Sequence, residues 1–152
     1  MTYFISDVHG ECELFLGLLD KIKFGGGDKL IVLGDMIDKG DESIRVLKEV
    51  YALDNAQCVL GNHEYEFLKF YRAQMRDAVE DFDLILSRLQ QYFPNEREPL
   101  TWELLDFLDG LPSFVEAQKY IGVHAGVPLC EDKSIKPLKE ASTEHLVYDR
   151  TF

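Results

Sequence analysis

Basic residues are scarce in this 152-residue chain: 16 lysines and arginines stand against 28 aspartates and glutamates, and the formal net charge is -12 at pH 7. Such a charge argues against nonspecific binding to nucleic acid or to an anionic membrane. A site that handles phosphate in so acidic a protein would need cations taken from solution. We therefore expect neither a nucleic acid polymer nor a membrane among the partners.

Cysteine is also scarce. The three cysteines, Cys12, Cys58 and Cys130, are odd in number and lack the paired spacing of a metal site, which favours a reducing compartment. No apolar run approaches membrane-spanning length, and the N-terminus leads directly into a strand-like run. We predict a cytoplasmic protein.

The chain has no internal repeat, low-complexity tract or linker. Hydrophobic residues make up 46% of the sequence, which is an ordinary globular composition. A chain of this length can bury a real core within one domain. We expect a single domain over residues 1–152.

Short strand-like runs alternate with helical patterns in the first part of the chain. Strands are predicted at residues 2–6, 29–33 and 57–60, with helices of apolar periodicity between them. This βαβαβ order predicts an α/β fold with a parallel sheet covered by helices. Two more strands are predicted at residues 113–117 and 120–123.

The stretch from about residue 64 to 91 has a helical pattern. Its apolar residues alternate steps of three and four: Leu68, Tyr71, Met75, Val79, Phe82, Leu86, Leu89 and Phe93. Such a stripe predicts a helix face packed on its own domain, with a coiled-coil seam as the alternative. Pro94 ends the pattern, and Thr101 is expected to cap a short helix that runs through Phe107.

Polar side chains follow the predicted strands, and in open α/β sheets ligands bind at the carboxyl ends of strands. The candidate residues there are Asp7, His9, Asp35, Asp38, Asn62, His63 and His124. Oxygen and imidazole donors without a thiolate suit divalent manganese, iron or zinc. Asp35 could bridge two ions through its two carboxylate oxygens.

Each motif alone has an ordinary structural explanation. Asp-x-His is typical of a turn or a helix cap, Asn-His-Glu of a helix start, and His124 of a hydrogen-bonded structural histidine. The motifs nevertheless all follow strands, and three of the four histidines belong to them, which favours a metal site. The fourth, His145, lies in a polar run and is predicted to be on the surface.

The ordered set DVHG, GDMIDKG, GNHE and HAG resembles the calcineurin-like metallophosphoesterases of the phosphoprotein phosphatase type. Bacterial and phage serine/threonine phosphatases and symmetrical diadenosine tetraphosphatases are the most similar members. The resemblance implies an α/β metallophosphoesterase β-sandwich flanked by helices, with a helical insertion over about residues 65–111 and a shortened C-terminal part.

The resemblance also implies roles for the site residues. One metal ion would take Asp7, His9 and Asp35, and the other would take Asp35, Asn62 and His124. Manganese is the expected metal, with iron, zinc, nickel or cobalt as alternatives. The paired cations would activate a water for in-line attack on phosphorus. His63 would act as general acid, with Asp38 orienting its imidazole.

Two residues bear on phosphate binding. Lys39 stands where the family has an arginine. An arginine guanidinium is planar and can bind two phosphate oxygens at once, whereas the lysine ammonium is a point charge. Arg150 resembles a second phosphate-binding arginine of the family, and a solvated terminal charge is the alternative interpretation. Both are our candidate phosphate ligands.

Relatives of this type continue past that arginine to a final metal-binding histidine, whereas this sequence ends at Phe152. The chain would then be a fragment, a naturally short protein with a weak second metal site, or a protein whose neighbouring chain donates the ligand. An uncovered sheet edge would favour self-association, so we hypothesise a homodimer.

The leading functional hypothesis is a metal-dependent phosphatase whose substrate is a phosphoprotein, at phosphoserine or phosphothreonine, or a small phosphoester. Hydrolysis of dinucleoside polyphosphates, such as diadenosine tetraphosphate, is the alternative. A third hypothesis is a weakly active, shortened phosphatase-like protein that binds a partner through the helix at residues 75–93.

Overall fold

The structure is a computed structural model, and it describes residues 1–77 and 81–150. Val79 and Phe152, which entered the sequence predictions, lie outside the described residues. The elements in chain order are β1 (Thr2–Ile5), α1 (Cys12–Lys21), β2 (Lys29–Val32), α2 (Ser43–Tyr51), β3 (Ala56–Cys58), α3 (Asn62–Asp77), α4 (Phe82–Gln90), α5 (Trp102–Asp109), β4 (Phe114–Ala117), β5 (Tyr120–Val123), a 3-10 turn (Leu138–Glu140) and α6 (Thr143–Tyr148).

The first three strands form a parallel sheet in the order β1-β2-β3, as the sequence predicts. The register pairs Tyr3 with Leu30, and Leu30 with Ala56 on the other side. Ile31 and Val32 of the central strand are completely buried, as is typical of a parallel sheet covered on both faces. Because the strands are parallel, their carboxyl ends meet at one edge.

The last two strands form an antiparallel hairpin, which is a sheet of its own among the described strands. This hairpin packs closely on β2, since a Cβ atom on Gly122 would lie 2.9 Å from Leu33 Cδ2. A side chain at residue 122 would therefore require the side chains of Val115 and Leu33 to shift. The close contact brings the end of β5 to the same edge as the other strand ends.

The helical stretch after β3 contains two helices, α3 and α4, rather than one continuous run. Asp81 has an extended backbone (φ -121°, ψ 96°), and its carboxylate accepts hydrogen bonds from the N–H groups of Asp83 and Leu84, so a new helix starts there. Leu68 and Leu89 of the apolar stripe lie in the core at 2% and 0% exposure. These residues confirm a face packed on its own domain. Phe82, which was predicted to belong to that face, is instead 62% exposed.

The predicted cap at Thr101 is confirmed, because its hydroxyl accepts a 3.3 Å hydrogen bond from the N–H of Leu104. The helix continues two residues beyond the expected end at Phe107, to Asp109. Among residues 1–77 and 81–150, no helix has both the length and the apolar character needed to cross a membrane. All three cysteines are free thiols.

Candidate metal and catalytic centre

The loop that follows β2 is anchored by its apolar residues. Met36 and Ile37 are completely buried, and this fixes Asp35 and Asp38 on either side of them. The loop is also bonded to the one after β1, because the N–H of His9 donates to the Asp35 carbonyl at 2.9 Å. The loops after β1 and β2 are thus joined into one rigid unit, which we call the rim of the site.

The backbone of this rim is strained. Five of the seven non-glycine residues with positive φ in the described part of the chain are Asp7, His9, Asp35, Asp38 and Lys39, with φ between 47° and 69°. Each such residue costs on the order of 1–2 kcal/mol, and such strain persists only where surrounding contacts enforce it. It clusters at functional sites in proteins, and here it coincides with the predicted site.

Two glycines allow the loops after β2 and β3 to touch backbone to backbone. A Cβ atom on Gly61 would lie 2.3 Å from the Asp35 nitrogen, and one on Gly34 would lie 2.5 Å from the Gly61 Cα. No side chain fits at either position. The glycines of both motifs are therefore required by the close approach that sets Asp35 beside Asn62 and His63.

Asp35 lies at the centre of the site and is 2% exposed. Its Oδ2 atom is 3.6 Å from His9 Nε2 and 3.4 Å from His124 Nε2. The Asp7 Oδ1 atom lies 3.6 Å from the same His9 nitrogen. The structure thus brings these four predicted ligands together around one carboxylate.

The outer ring nitrogens of the two flanking histidines are held by backbone carbonyls. His9 Nδ1 lies 3.0 Å from the Ile37 oxygen, and His124 Nδ1 lies 2.7 Å from the Leu33 oxygen. A carbonyl can only accept, so both Nδ1 atoms carry the proton. This leaves a lone pair on each Nε2, which faces Asp35, and metal-binding histidines are oriented in the same way.

Asn62 completes the donor set. Its Oδ1 atom lies 3.0 Å from His124 Nε2, so two acceptors face each other at hydrogen-bonding distance. Two lone pairs at this distance repel unless a cation or a proton lies between them. Carboxylate, amide oxygen and imidazole donors of this kind fit divalent manganese, iron or zinc.

Lys39 is placed differently from the expectation of a phosphate ligand. Its exposed side chain turns back, and the ammonium donates a 2.6 Å hydrogen bond to His9 Nε2. The ammonium therefore uses the lone pair that a metal ion would need. Arg150, the other candidate phosphate ligand, is exposed in the structure. His145 is half-buried rather than on the open surface, and its Nδ1 lies 3.1 Å from Asp149.

His63 and Asp38 form a contact pair beside the metal candidates. His63 Nδ1 lies 2.8 Å from Asp38 Oδ2, while its backbone N–H donates to Asp35 Oδ1 at 3.1 Å. Its Nε2 is 3.9 Å from Asp35 Oδ2, and one donor atom each of His9, Asp35 and His63 lie within 4.8 Å of one another. The free nitrogen of His63 is thus close to the predicted metal ligands.

The charges around Asp7 favour its ionised form. Partial burial raises the pKa of this carboxyl, but the Ser6 hydrogen bond and the charges of His124, His9 and Lys39 outweigh that effect and lower the pKa overall. Asp7 is therefore a carboxylate near neutral pH, which is the form that binds a cation.

Glu64 is a functional residue to which the sequence predictions gave no role. Its side chain is completely buried, and its carboxylate accepts four backbone N–H groups: Asp35 (2.8 Å), Met36 (2.6 Å), Ile37 (3.1 Å) and Gly61 (3.0 Å). Burial raises its pKa, and the backbone donors act against that rise. The only signal in the sequence was its place as the last letter of GNHE.

Comparison with known proteins decides the family. A sequence model described as calcineurin-like phosphoesterase matches residues 2–149. The chain belongs to this family. The resemblance predicted from the four motifs is thereby confirmed, together with the metallophosphoesterase type of α/β fold.

Several curated relatives of this chain share a name. A protein of Buchnera aphidicola named symmetrical bis(5'-nucleosyl)-tetraphosphatase is 36% identical over 130 residues, which cover 83% of this chain and 44% of the relative. An Escherichia coli protein of the same name is 33% identical, with 83% of this chain and 43% of the relative covered. The chain therefore spans less than half the length of these relatives.

Solved structures agree on the fold. The crystal structure of a candidate diadenosine tetraphosphatase superposes with a TM-score of 0.73 at 22% identity, covering 96% of this chain and 57% of the other. A yeast protein serine/threonine phosphatase superposes with a TM-score of 0.59 at 17% identity, covering 97% and 48%. At these identities, the likeness concerns the fold alone.

Proposed function

We propose that this chain carries the catalytic centre of a metal-dependent hydrolase that acts on phosphoric esters and anhydrides, with dinucleoside polyphosphates as the favoured substrate class. The observation that carries the proposal is the arrangement of His9 and His124 around Asp35, with both lone pairs directed inward. The names of the relatives at 36% and 33% identity favour the tetraphosphate over the phosphoprotein. Our leading sequence hypothesis, a serine/threonine phosphatase, becomes the second candidate.

The residues fit two divalent ions, and we assign the ligands as the resemblance implies. Asp7, His9 and Asp35 would hold one ion, while Asp35, Asn62 and His124 would hold the other, with manganese as the expected metal. When bound, such ions polarise phosphoryl oxygens and lower the pKa of a water to near neutrality. The acidic protein would repel an anionic polyphosphate, and bound cations would offset that repulsion.

His63 would supply the proton that the leaving oxygen needs. Its Nδ1 is held by Asp38 at 2.8 Å, so Nε2 is the nitrogen free to donate. The Asp38 carboxylate stabilises the protonated imidazole. In a symmetrical dinucleoside tetraphosphate, water would add to one inner phosphorus and the bond from that phosphorus to the central bridging oxygen would break. The bridging oxygen would take the proton from His63, and the products would be two nucleoside diphosphates.

Lys39 would bind phosphate only after it leaves His9. The His9 Nε2 lone pair cannot serve an ammonium and a metal ion at once. With a metal ion held by Asp7, His9 and Asp35, the Lys39 ammonium would be available to the substrate. Arg150, which lies two residues after the end of α6, stays a proposed second phosphate ligand. Its exposure leaves it accessible to an anion.

Four other expectations remain predictions: a single domain over residues 1–152, a cytoplasmic location, a homodimer, and a shortened protein that binds a partner through residues 75–93. The three free cysteines support a reducing compartment. No turnover with any divalent ion, by a folded protein, would favour the binding-protein hypothesis.

The test is a direct product analysis. The purified chain is incubated with Mn²⁺ and diadenosine tetraphosphate, or with a phosphoserine peptide, and the products are separated by chromatography. We expect ADP as the nucleotide product and slower phosphate release from the peptide. Faster turnover of the peptide would favour the second candidate, and turnover of neither by a folded protein would overturn the proposal.

A further inference from the structure

The loop between α4 and α5, residues 91–101, lies against the loop that carries Asp38. Asn95 donates a 2.8 Å side-chain hydrogen bond to Asp41 Oδ1. Glu96 Oε2 accepts a 2.7 Å hydrogen bond from the backbone N–H of Ile44, in the first turn of α2. The α4–α5 loop, part of the predicted helical insertion, is thus tied to the start of α2.

Glu96 anchors the α4–α5 loop to the N-terminus of α2. The residue before α2, Glu42, makes no side-chain cap, so the first N–H groups of the helix depend on another acceptor. Glu96 supplies it from a distance, and its second oxygen accepts from the N–H groups of Arg97 and Glu98 at 2.9 and 3.0 Å. A carboxylate at a helix N-terminus also interacts favourably with the helix dipole.

Tyr92, at the start of this loop, reaches the catalytic pair. Its ring packs edge-on against Phe67 at 5.0 Å and lies 5.7 Å from Phe70. Its hydroxyl donates to Asp38 Oδ2 at 3.4 Å, and this is the same oxygen that His63 Nδ1 contacts at 2.8 Å. The Tyr92 ring is thus packed within the helical insertion, and its hydroxyl contacts the Asp38–His63 pair.

We propose that Tyr92 is a positioning residue, whose hydroxyl fixes the Asp38 carboxylate and through it the orientation of the His63 imidazole. The proposal rests on the proposed function only in assigning His63 as the proton donor. The Asp38 backbone has φ of 67°, and its N–H donates to Ser43 Oγ, so the backbone is fixed independently. The hydroxyl of Tyr92 restrains the remaining freedom, which is rotation of the carboxylate.

The Tyr92 hydroxyl stays protonated and can therefore donate its hydrogen bond to Asp38. Burial, followed by the Asp38 charge and the hydrogen bond to it, raises the pKa of Tyr92 to about 12. The phenol therefore keeps its proton throughout the pH range in which the enzyme would work. The contact with Asp38 links the helical insertion to the chemistry, because Tyr92 is the described residue of the α4–α5 loop that hydrogen-bonds to the Asp38 side chain.

The effect of Tyr92 should depend on the leaving group. A basic leaving oxygen needs a well-placed proton donor, whereas an acidic one leaves with little help. Loss of the hydroxyl should therefore slow the hydrolysis of phenyl phosphate more than that of 4-nitrophenyl phosphate, since phenol, with a pKa of about 10 like tyrosine, is the more basic leaving group. A purely structural role would slow both reactions equally.

The variant Tyr92→Phe keeps the ring and removes the hydroxyl. Tyr65→Phe is the matched control, because the Tyr65 hydroxyl also donates to a carboxylate at 3.4 Å, that of Glu144. With Mn²⁺, we expect kcat of Tyr92→Phe to fall roughly tenfold on phenyl phosphate and about threefold or less on 4-nitrophenyl phosphate, with KM unchanged in both cases. Tyr65→Phe should match the wild type.

A second readout does not need turnover. In ¹⁵N-labelled protein, the His63 imidazole resonances should shift in Tyr92→Phe and stay unchanged in Tyr65→Phe. If the wild type hydrolysed neither aryl phosphate, the His63 signals alone would decide the role of Tyr92. The proposed function is judged separately, by turnover of diadenosine tetraphosphate or the phosphopeptide. Unchanged His63 signals, or equal losses of kcat on both substrates, would overturn the role of Tyr92.

Discussion

The buried carboxylate of Glu64 accepts a 2.8 Å hydrogen bond from the backbone N–H of Asp35, the residue at the centre of the candidate metal site. The same carboxylate also holds the N–H of Gly61, so one side chain ties the loops after β2 and β3 together. The negative charge of Asp35 is thereby fixed in position by a residue that does not itself face the site.

Replacing this carboxylate should destabilise the fold. In Glu64→Gln, an amide NH₂ takes the place of one acceptor oxygen. The buried backbone N–H groups that donated to that oxygen then have no acceptor, and water does not reach them. We expect a loss of about 2–5 kcal/mol in the free energy of unfolding, measured by urea denaturation of the metal-free protein. The control Glu116→Gln, at an exposed position of β4, should leave the free energy of unfolding unchanged. A Glu64→Gln protein as stable as the wild type would contradict the role of Glu64.

The proton-donor assignment predicts a separation of binding from turnover. His63→Asn should lower kcat by about 10²–10⁴-fold, the usual contribution of a general acid, while Mn²⁺ affinity stays close to that of the wild type. Steady-state kinetics and calorimetry measure the two quantities. His145→Asn, outside the centre, is the control for loss of an imidazole. A His63→Asn enzyme with normal kcat would refute the assignment.

The contact between Lys39 and His9 predicts competition with the metal. Lys39→Met removes the ammonium and keeps a stem of similar length, so Mn²⁺ should bind roughly three- to tenfold more tightly because no cation holds the Nε2 lone pair. KM for a phosphorylated substrate should rise at the same time. Lys119→Met, in the exposed β4–β5 turn, should change neither quantity. Weaker metal binding in Lys39→Met would show that the contact does not compete with the ion.

Two thiols should be unreactive in the folded protein. Burial raises the pKa of Cys12 to about 11 and that of Cys58 to about 12. The reactive species is the thiolate, so at pH 8 both residues stay in the inert thiol form. Iodoacetamide labelling followed by mass spectrometry should modify Cys130 first, and the other two only after unfolding in urea. Rapid native labelling of Cys58, which is partly buried, would contradict the raised pKa of its thiol.

Much of the centre could be predicted because its residues follow strands. A parallel strand order requires the carboxyl ends to meet, so Asp7, Asp35 and Asn62 had to converge once β1, β2 and β3 paired. The hydrophobic periods of those strands are clear in the sequence. His124 also lies beside Asp35, although its strand belongs to a separate hairpin rather than to the parallel sheet.

Other features could not be predicted from pattern alone. The apolar period continues through Asp81 without interruption, so the break between α3 and α4 depends on a cap that the period does not reveal. Glu64 and Tyr92 act through long-range contacts with Asp35 and Asp38, and local spacing does not encode such contacts. The choice between substrates could not be made from the metal motifs, because phosphoprotein and tetraphosphate hydrolases share them.

The central claim is that the donors around Asp35 bind divalent cations, and calorimetric titration of the metal-free protein with Mn²⁺ tests it most directly. The assigned ligands predict two ions bound per chain in the wild type and loss of binding in Asp35→Asn, which removes the shared carboxylate. Heats of the wild type that equal those of a folded Asp35→Asn variant would contradict the claim.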